Sequence, residues 1–259
     1  MACVESHIDE CMCVERKCFV MNQCIPSPWC RNTSARSDAP ADTHIVIPVV
    51  CNTPYACKHQ KIIVRRLLLS LWAVHTALPV HIMTPNRTQF QELDAPLLHR
   101  NFTSTSTWTA PYHRYSFYKL HALQLVQFAK TIVLDTDVQV VRNIDHLAST
   151  PTPAFVVHRP DKGINSGLQV IRPELRRFDA AIQLIRGQKN KRHDGGDQEV
   201  LRRLFPTFYE LPLKYNARPH FSPVRNHMCD AFVLHNFDGR KHENTVARTL
   251  YIDECTRTR

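Results

Sequence analysis

Long hydrophobic runs are missing from this sequence of 259 residues. No apolar stretch approaches the ~18 residues that a membrane-spanning helix needs, and the longest candidate covers residues 67–74. The chain starts MACVESHIDEC, without the charged start and apolar stretch of a secretion signal. We therefore predict no transmembrane segment and a cytoplasmic location, or a secretory lumen if the N-terminus is truncated.

Glycine is also scarce, with six residues in the whole chain. Gly187 has the position of a helix stop. The other five lie in three short polar clusters: DKGINSG (161–167), DGGDQ (194–198) and HNFDGRKH (235–242). A chain with so little glycine places it where the backbone turns sharply or approaches a ligand closely. Because each cluster also carries side chains suited to a sugar or phosphate, the three together favour one binding site.

The charge balance is strongly basic, with a formal net charge of +10. A basic protein attracts polyanions such as nucleic acid. Here the positive residues are scattered, often as pairs such as Arg65-Arg66 and Arg202-Arg203. This pattern is typical of solvated helix faces, so no nucleic-acid partner is predicted. With 43% hydrophobic residues, the chain can bury a sizeable core.

Six of the ten cysteines fall in the first 30 residues. A segment this short needs disulfides or a metal to hold it together. Both options stay open, although the repeated CxxC motif that is typical of zinc sites is absent from the sequence. Residues 31–42 are rich in Ser, Ala, Pro and Asp, as in a linker. We therefore predict a cysteine-rich extension with its linker at 1–42 and the main domain at 43–259.

Strand and helix patterns alternate after residue 42. Strands are predicted at residues 44–51, 79–84, 131–134, 154–158 and 168–171, and helices at 62–75, 116–129 and 173–187. This alternation predicts an α/β fold, with a mostly parallel sheet covered by helices on both faces. In such sheets, ligands bind at the carboxyl ends of the strands.

Two aspartates, Asp135 and Asp137, follow the predicted strand in TIVLDTDVQVV (131–141). Residues i and i+2 on extended backbone point to the same side. Two carboxylates aimed at one place repel each other unless a positive charge lies between them. Since hard oxygen ligands suit magnesium and manganese, the stretch predicts a divalent metal site that holds substrate phosphates.

Two enzyme classes place DxD after a strand. In phosphatases of the haloacid-dehalogenase type, the pattern continues DxDx[TV], whereas this chain has Gln139 at the last position. In nucleotide-sugar transferases of GT-A fold, both aspartates hold a metal on the sugar nucleotide. The phosphatase remains an alternative, as does a catalytically inactive sugar- or nucleotide-binding module of the GT-A fold.

Four motifs occur in the order seen in glycosyltransferase family eight, the glycogenin-like nucleotide-sugar transferases of GT-A fold. They are Asp135-Thr136-Asp137, Asn165-Ser166-Gly167, Gly195-Gly196-Asp197-Gln198, and His235 with Gly239 and Lys241. Lys119-Leu120-His121 and Leu211-Pro212 with Tyr215-Asn216 add to the resemblance, and Asn52-Thr53-Pro54-Tyr55 resembles the family's uracil-binding turn. The resemblance spans residues 43–242 and implies a GT-A, Rossmann-like fold.

The resemblance further implies a retaining hexosyltransferase that uses a UDP-sugar, Mn²⁺ or Mg²⁺, and an unidentified acceptor. The implied metal ligands are Asp135, Asp137 and His235. The implied catalytic residues are Asp197, Gln198 and Lys241, with Asp197 steadying an oxocarbenium-like transition state and Lys241 pairing with the diphosphate. The implied donor-binding residues are Asn52, Tyr55, Lys119, Asn165, Ser166, Gly167, Gly239 and Lys241, with Tyr55 stacked on uracil.

Two features depart from the family pattern. His242-Glu243 follows Lys241, where the family usually has Pro-Trp. Residues 217–234 contain no tyrosine, whereas glycogenin glucosylates itself on a tyrosine in that region. We therefore expect an acceptor other than the protein itself.

Overall fold

A computed structural model describes residues 17–20, 23–26, 42–51, 53–101, 115–159, 163–187, 196–218 and 228–235. Near the N-terminus, β1 (Lys17–Val20) and β2 (Gln23–Pro26) form a separate two-stranded antiparallel sheet. The boundary at residue 42 between an extension and a main domain stays a prediction.

Seven strands form the central sheet, in the order β10-β8-β9-β6-β3-β4-β5. They are β3 (Thr43–Pro48), β4 (Val80–Thr84), β5 (Leu97–His99), β6 (Lys130–Leu134), β8 (Ala154–Arg159), β9 (Gly163–Ile171) and β10 (Tyr209–Leu211). Strand β9 runs antiparallel to both of its neighbours, and the other pairs are parallel. The predicted mostly parallel sheet is therefore confirmed. A second small sheet pairs β7 (Val138–Val140) with β11 (Val233–His235).

Helices cover both faces of the sheet. They are α1 (Pro54–Ala73), α2 (Leu175–Gly187), α3 (Asp197–Leu204) and the 3₁₀ helices Arg87–Gln89, Phe117–Gln124, Asp145–Ser149, Leu213–Tyr215 and Met228–Asp230. Alternate residues of β3 point to opposite faces, as the two-residue period of a strand requires. Ile45 and Ile47 pack in the core layer of α1, while Val46 lies in the layer that holds α2, α3 and the 3₁₀ helix Phe117–Gln124.

Helix α1 begins two turns earlier than the predicted start at residue 62. Thr53 caps it, because its hydroxyl accepts a hydrogen bond from the backbone N–H of Ala56 at 3.1 Å. Pro54 occupies the first turn, where a missing N–H costs nothing. A disulfide between Cys51 and Cys57 ties the segment after β3 to this first turn.

The helix predicted at residues 116–129 is wrong in type and length. The segment forms the 3₁₀ helix Phe117–Gln124, and Ser116 makes no capping bond with its side chain. Every residue from 117 to 123 is buried, the polar ones included. The apolar spacing predicted an amphipathic helix with one exposed face. Tertiary contacts instead surround this segment on all sides.

The DKGINSG cluster, where scarce glycine predicted a sharp turn or a close approach to a ligand, lies mostly in a strand. Its last five residues, from Gly163 to Gly167, belong to β9. Strand β9 pairs with β6 on one side and with β8 on the other, and the pairing with β8 contains register shifts. Such irregularities are often found where a strand presents side chains to a site, so this stretch is polar without being a turn.

A histidine pair lies on β3 and β4 at the amino-terminal side of the sheet. His44 Nδ1 lies 2.8 Å from His81 Nε2, and His44 Nε2 lies 2.8 Å from Asp42 Oδ1. The ring of Phe128 stacks on His44 with centroids 3.8 Å apart. Burial, and then the neighbouring His44, lower the pKa of His81 below its ordinary value of 6.5.

We expect this histidine to make stability depend on pH. Because the folded state lowers the pKa of His81, the unfolded state takes up a proton first as pH falls below 6.5, so the free energy of unfolding should decrease there. The decrease should be smaller for His81→Gln. Urea unfolding of both proteins at about pH 7.5 and about pH 5.5 measures the difference. Equal pH dependence in the two proteins would contradict the assignment.

Candidate active site

The pairing of β7 with β11 assembles the predicted metal ligands. Asp135 and Asp137 lie between β6 and β7, at the carboxyl end of β6. Strand β11 runs antiparallel to β7 and places His235 opposite Val138, the residue after Asp137. A histidine far along the chain is thereby brought beside the two aspartates.

One ligand atom from each of Asp135, Asp137 and His235 lies within 4.8 Å of the other two. His235 Nε2 is 3.5 Å from an oxygen of Asp137. We predicted convergence from extended backbone, but Thr136 and Asp137 form a turn. The carboxylates therefore converge because the chain folds back into β7, not because of strand periodicity. Two carboxylates and an imidazole form a donor set that fits Mn²⁺.

Lys119, on the 3₁₀ helix Phe117–Gln124, lies beside this cluster and is 8% exposed. Its Nζ forms ion pairs with Asp135 at 2.6 Å and with Asp197 at 3.1 Å. The same nitrogen donates to Ser166 Oγ at 3.0 Å. Burial alone would lower the pKa of Lys119, but the two carboxylates raise it above its ordinary value. The lysine is therefore a fixed positive charge between a predicted metal ligand, Asp135, and a predicted catalytic residue, Asp197.

Two neighbouring carboxylates influence the pKa of Asp135. Burial raises the pKa of Asp135 to about 6, Lys119 counteracts this effect, and Asp137 and Asp197 add to it. Asp197 is the first residue of α3 and is 5% exposed. A negative charge is favoured at the first turn of a helix, where backbone N–H groups point outward. Gln198 follows it and is half-buried.

Strand β9 lines the site and contacts Asp135 and His235 through Gly167. The backbone carbonyl of Gly167 accepts a hydrogen bond from the N–H of Asp135 at 3.0 Å. A Cβ atom at position 167 would lie 2.4 Å from Cε1 of His235 and 2.9 Å from Oδ1 of Asn216. Glycine is therefore required here by the close approach of His235, a predicted metal ligand. Sugar binding by Asn165, Ser166 and Gly167 stays a prediction.

The predicted donor-binding residue Tyr55 stands in the first turn of α1 and is 82% exposed. Strands β3 and β6 are parallel neighbours, so the segment after β3 reaches the same edge of the sheet as Asp135. Uracil stacking on Tyr55 stays a prediction. Asn52, Gly195, Gly239 and Lys241 lie outside the described residues.

Sequence reasoning did not assign a role to Asn216, which the structure places in the site. Its Oδ1 lies 2.6 Å from Nδ1 of His235, and its Nδ2 donates to Oδ1 of Asn165. Asn216 is fully buried. The sequence did place Asn216 in a motif, the Tyr215-Asn216 pair that resembles the family. That motif could not reveal its partners His235 and Asn165, which lie 19 and 51 residues away along the chain.

No family model matches the chain, but individual proteins do. It is 30% identical over 112 residues to "Putative UDP-glucuronate:xylan alpha-glucuronosyltransferase 3" of Arabidopsis thaliana, covering 42% of this chain and 17% of the relative. It is 32% identical over 110 residues to "Glycogenin-1" of Homo sapiens, covering 38% of this chain and 29% of the relative. The chain thus spans less than a third of either relative.

Solved structures resemble the chain over a larger part of its length. The glycosyltransferase GlyE of Streptococcus pneumoniae has a TM-score of 0.57 at 16% identity, covering 83% of this chain and 64% of that one. The galactosyltransferase LgtC, solved with donor and acceptor sugar analogues, has a TM-score of 0.58 at 16% identity, covering 83% and 95%.

These comparisons define the class of protein as one with the glycosyltransferase GT-A fold. They also confirm the resemblance that we inferred from the motifs, because the homologues include glycogenin and the xylan glucuronosyltransferases, which are members of glycosyltransferase family eight. In the part of the chain that the structure describes, no helix has the length and apolar character needed to cross a bilayer.

We expect the acidic pair and His235 to bind Mn²⁺ directly. Replacing Asp137 with Asn removes one charged ligand from a half-buried position, so Asp137→Asn should weaken Mn²⁺ binding at least about tenfold, or about 1.4 kcal/mol. Titration followed by the electron paramagnetic resonance of free Mn²⁺ measures the affinity. Asp179→Asn, an exposed position on α2, is the matched control and should bind as the wild type does. Equal affinity in all three proteins would contradict the metal assignment.

Proposed function

We propose that this protein is a metal-dependent glycosyltransferase that transfers a hexose from a UDP-sugar, with retention, to a separate acceptor. The observation that carries the proposal is the Asp135–Asp137–His235 cluster, joined through Lys119 to Asp197 at one edge of the sheet. The homology to glycogenin and to xylan glucuronosyltransferases supports it.

The residues of the site suit the departure of a nucleoside diphosphate. Mn²⁺ or Mg²⁺ held by Asp135, Asp137 and His235 would neutralise negative charge on the leaving group. Lys119 adds a positive charge that is already buried and oriented, so no reorganisation is needed as charge develops. We assign Lys241 to the diphosphate by resemblance.

Asp197 is the proposed group that steadies positive charge on the donor sugar. Its carboxylate is buried at the start of α3 and is held by Lys119 at 3.1 Å. In a site of low dielectric, a fixed carboxylate stabilises an oxocarbenium-like transition state more strongly than it would in water. Gln198, next in the helix, is proposed to contact the same sugar.

The names of the relatives support retention and leave the sugar open. The plant relatives are named for UDP-glucuronate and for an alpha-glucuronosyl product. Since UDP-glucuronate is itself an α-linked donor, an α-linked product corresponds to retention in those proteins. The GT-A fold also favours the transferase over the haloacid-dehalogenase alternative.

A donor screen tests the proposed function. UDP release is measured for UDP-glucose, UDP-galactose and UDP-glucuronate, with Mn²⁺ and with EDTA, using water as a slow acceptor. At least one donor should give UDP release that EDTA and Asp137→Asn both abolish. Binding of a UDP-sugar without turnover would indicate the inactive module instead. Phosphate release from a simple phosphoester, with no UDP-sugar turnover, would restore the phosphatase alternative.

The two tyrosines that closely precede residue 217, Tyr209 and Tyr215, are poorly placed as self-acceptors. Tyr215 is 7% exposed, and its hydroxyl lies 2.7 Å from His146 Nε2. Its ring stacks on Phe232 with centroids 4.9 Å apart. Tyr209 opens β10 opposite Ala154, the first residue of β8. Since β8 runs in the same direction as β6, Tyr209 lies at the sheet edge away from Asp135.

We therefore expect no sugar on the protein itself. After incubation with UDP-glucose, UDP-galactose or UDP-glucuronate and Mn²⁺, the intact mass should be unchanged, because an acceptor hydroxyl must come within about 3 Å of the anomeric carbon. Intact-mass spectrometry with peptide mapping is the measurement. A ladder of sugar masses that maps to Tyr209 or Tyr215, and that the corresponding Phe variant loses, would show self-glycosylation.

A further inference from the structure

We propose that Asn165 and Asn216 form a hydrogen-bond relay that fixes the tautomer of His235, so that Nε2 presents its lone pair to the metal. The relay starts at a backbone N–H on β9 and ends at Nδ1 of the imidazole. It makes Asn165 and Asn216 positioning residues, and it rests on the proposed metal-dependent function.

The first step fixes the orientation of Asn165. The backbone N–H of Gly167 donates to Oδ1 of Asn165 at 3.0 Å. The oxygen and nitrogen of a side-chain amide have nearly the same shape, but a backbone N–H can only donate. The atom that faces Gly167 must therefore be the oxygen.

The second step carries this orientation to Asn216. The same Oδ1 of Asn165 also contacts one end of the Asn216 amide. Because Oδ1 of Asn165 can only accept, that end of Asn216 must be Nδ2, which donates. The other end, Oδ1 of Asn216, is therefore an acceptor, and it lies 2.6 Å from Nδ1 of His235.

The third step determines which nitrogen of the His235 imidazole carries the proton. An acceptor facing Nδ1 requires that Nδ1 carries the hydrogen, and in a neutral imidazole Nε2 then has the lone pair. Nε2 is the nitrogen that lies 3.5 Å from Asp137. The nitrogen available for coordination therefore faces the carboxylates before any metal arrives.

Because the three residues of the relay are buried, water cannot easily take the place of any hydrogen-bond partner. Asn165 and His235 are each 4% exposed, and Asn216 is fully buried. Leaving a buried polar atom unpaired at such positions is destabilising. Gly167 adds a steric constraint, since a Cβ there would lie 2.5 Å from Nδ1 of His235. Strand β9 thus controls both the orientation of the His235 ring and the space available to it.

A spectroscopic experiment reads the tautomer without metal or substrate. The protein is labelled with ¹⁵N-histidine, and long-range ¹H–¹⁵N correlation spectra are recorded at about pH 8.5, where imidazoles are neutral. The His235→Gln variant identifies the His235 signals among the 15 histidines. Wild-type His235 should show protonated Nδ1. Asn216→Leu should lose this pattern, whereas Asn86→Leu, at an exposed amide, should keep it.

The same variants are then titrated with Mn²⁺. Loss of a residue that orients a metal-ligating histidine typically weakens binding 10- to 100-fold, so Asn216→Leu should lose affinity by about this factor and Asn86→Leu should not. Gly167→Ala should also bind weakly, while its control Gly187→Ala, whose added Cβ would meet nothing within 4 Å, should bind normally. Circular dichroism checks that each variant is folded.

The outcomes separate the relay from the proposed function. Protonated Nε2 in wild-type His235 would overturn the relay, whether or not Asn216→Leu folds. A protonated Nδ1 that Asn216→Leu retains, with unchanged Mn²⁺ affinity, would also overturn it. Protonated Nδ1 in the wild type, lost in Asn216→Leu, would support the relay. If neither protein then bound Mn²⁺, the relay would stand and the proposed metal site would be wrong.

Discussion

The buried ammonium group of Lys119 holds the two acidic parts of the site together. It forms ion pairs with Asp135, after β6, and with Asp197, at the start of α3. Without it, these carboxylates would share a region of low dielectric and repel each other. Losing one partner of a buried ion pair typically costs about 3–5 kcal/mol. The position of α3 against the sheet therefore depends on a buried charge at the centre of the candidate site.

Strand β9 organises the polar side of the site through its backbone. It is the antiparallel strand in the middle of the sheet, between β6 and β8. From this position the carbonyl of Gly167 accepts from Asp135, and its N–H accounts for the orientation of Asn165. The backbone of Gly167 thus contacts both Asp135 and Asn165.

The comparisons and the site geometry support the proposal at different levels. Sequence similarity covers about two fifths of the chain, whereas the fold similarity covers about four fifths of it. A shared fold hosts many chemistries, so function has to be argued from the arrangement of the site. Here that arrangement is a three-ligand cluster, a buried lysine and a carboxylate at a helix start.

The sequence by itself determined the α/β class, five of the seven strands of the central sheet, and the side chains Asp135, Asp137 and His235 that the fold brings together. It could do so because apolar periodicity and motifs are local properties of the chain. It predicted a helix at 116–129, where burial on all sides produced the 3₁₀ helix Phe117–Gln124. Only the tertiary structure decided that Lys119 bridges two carboxylates and that Asn216 meets His235. Those contacts join residues far apart along the chain, and no local pattern records which distant partner a buried charge or amide will find.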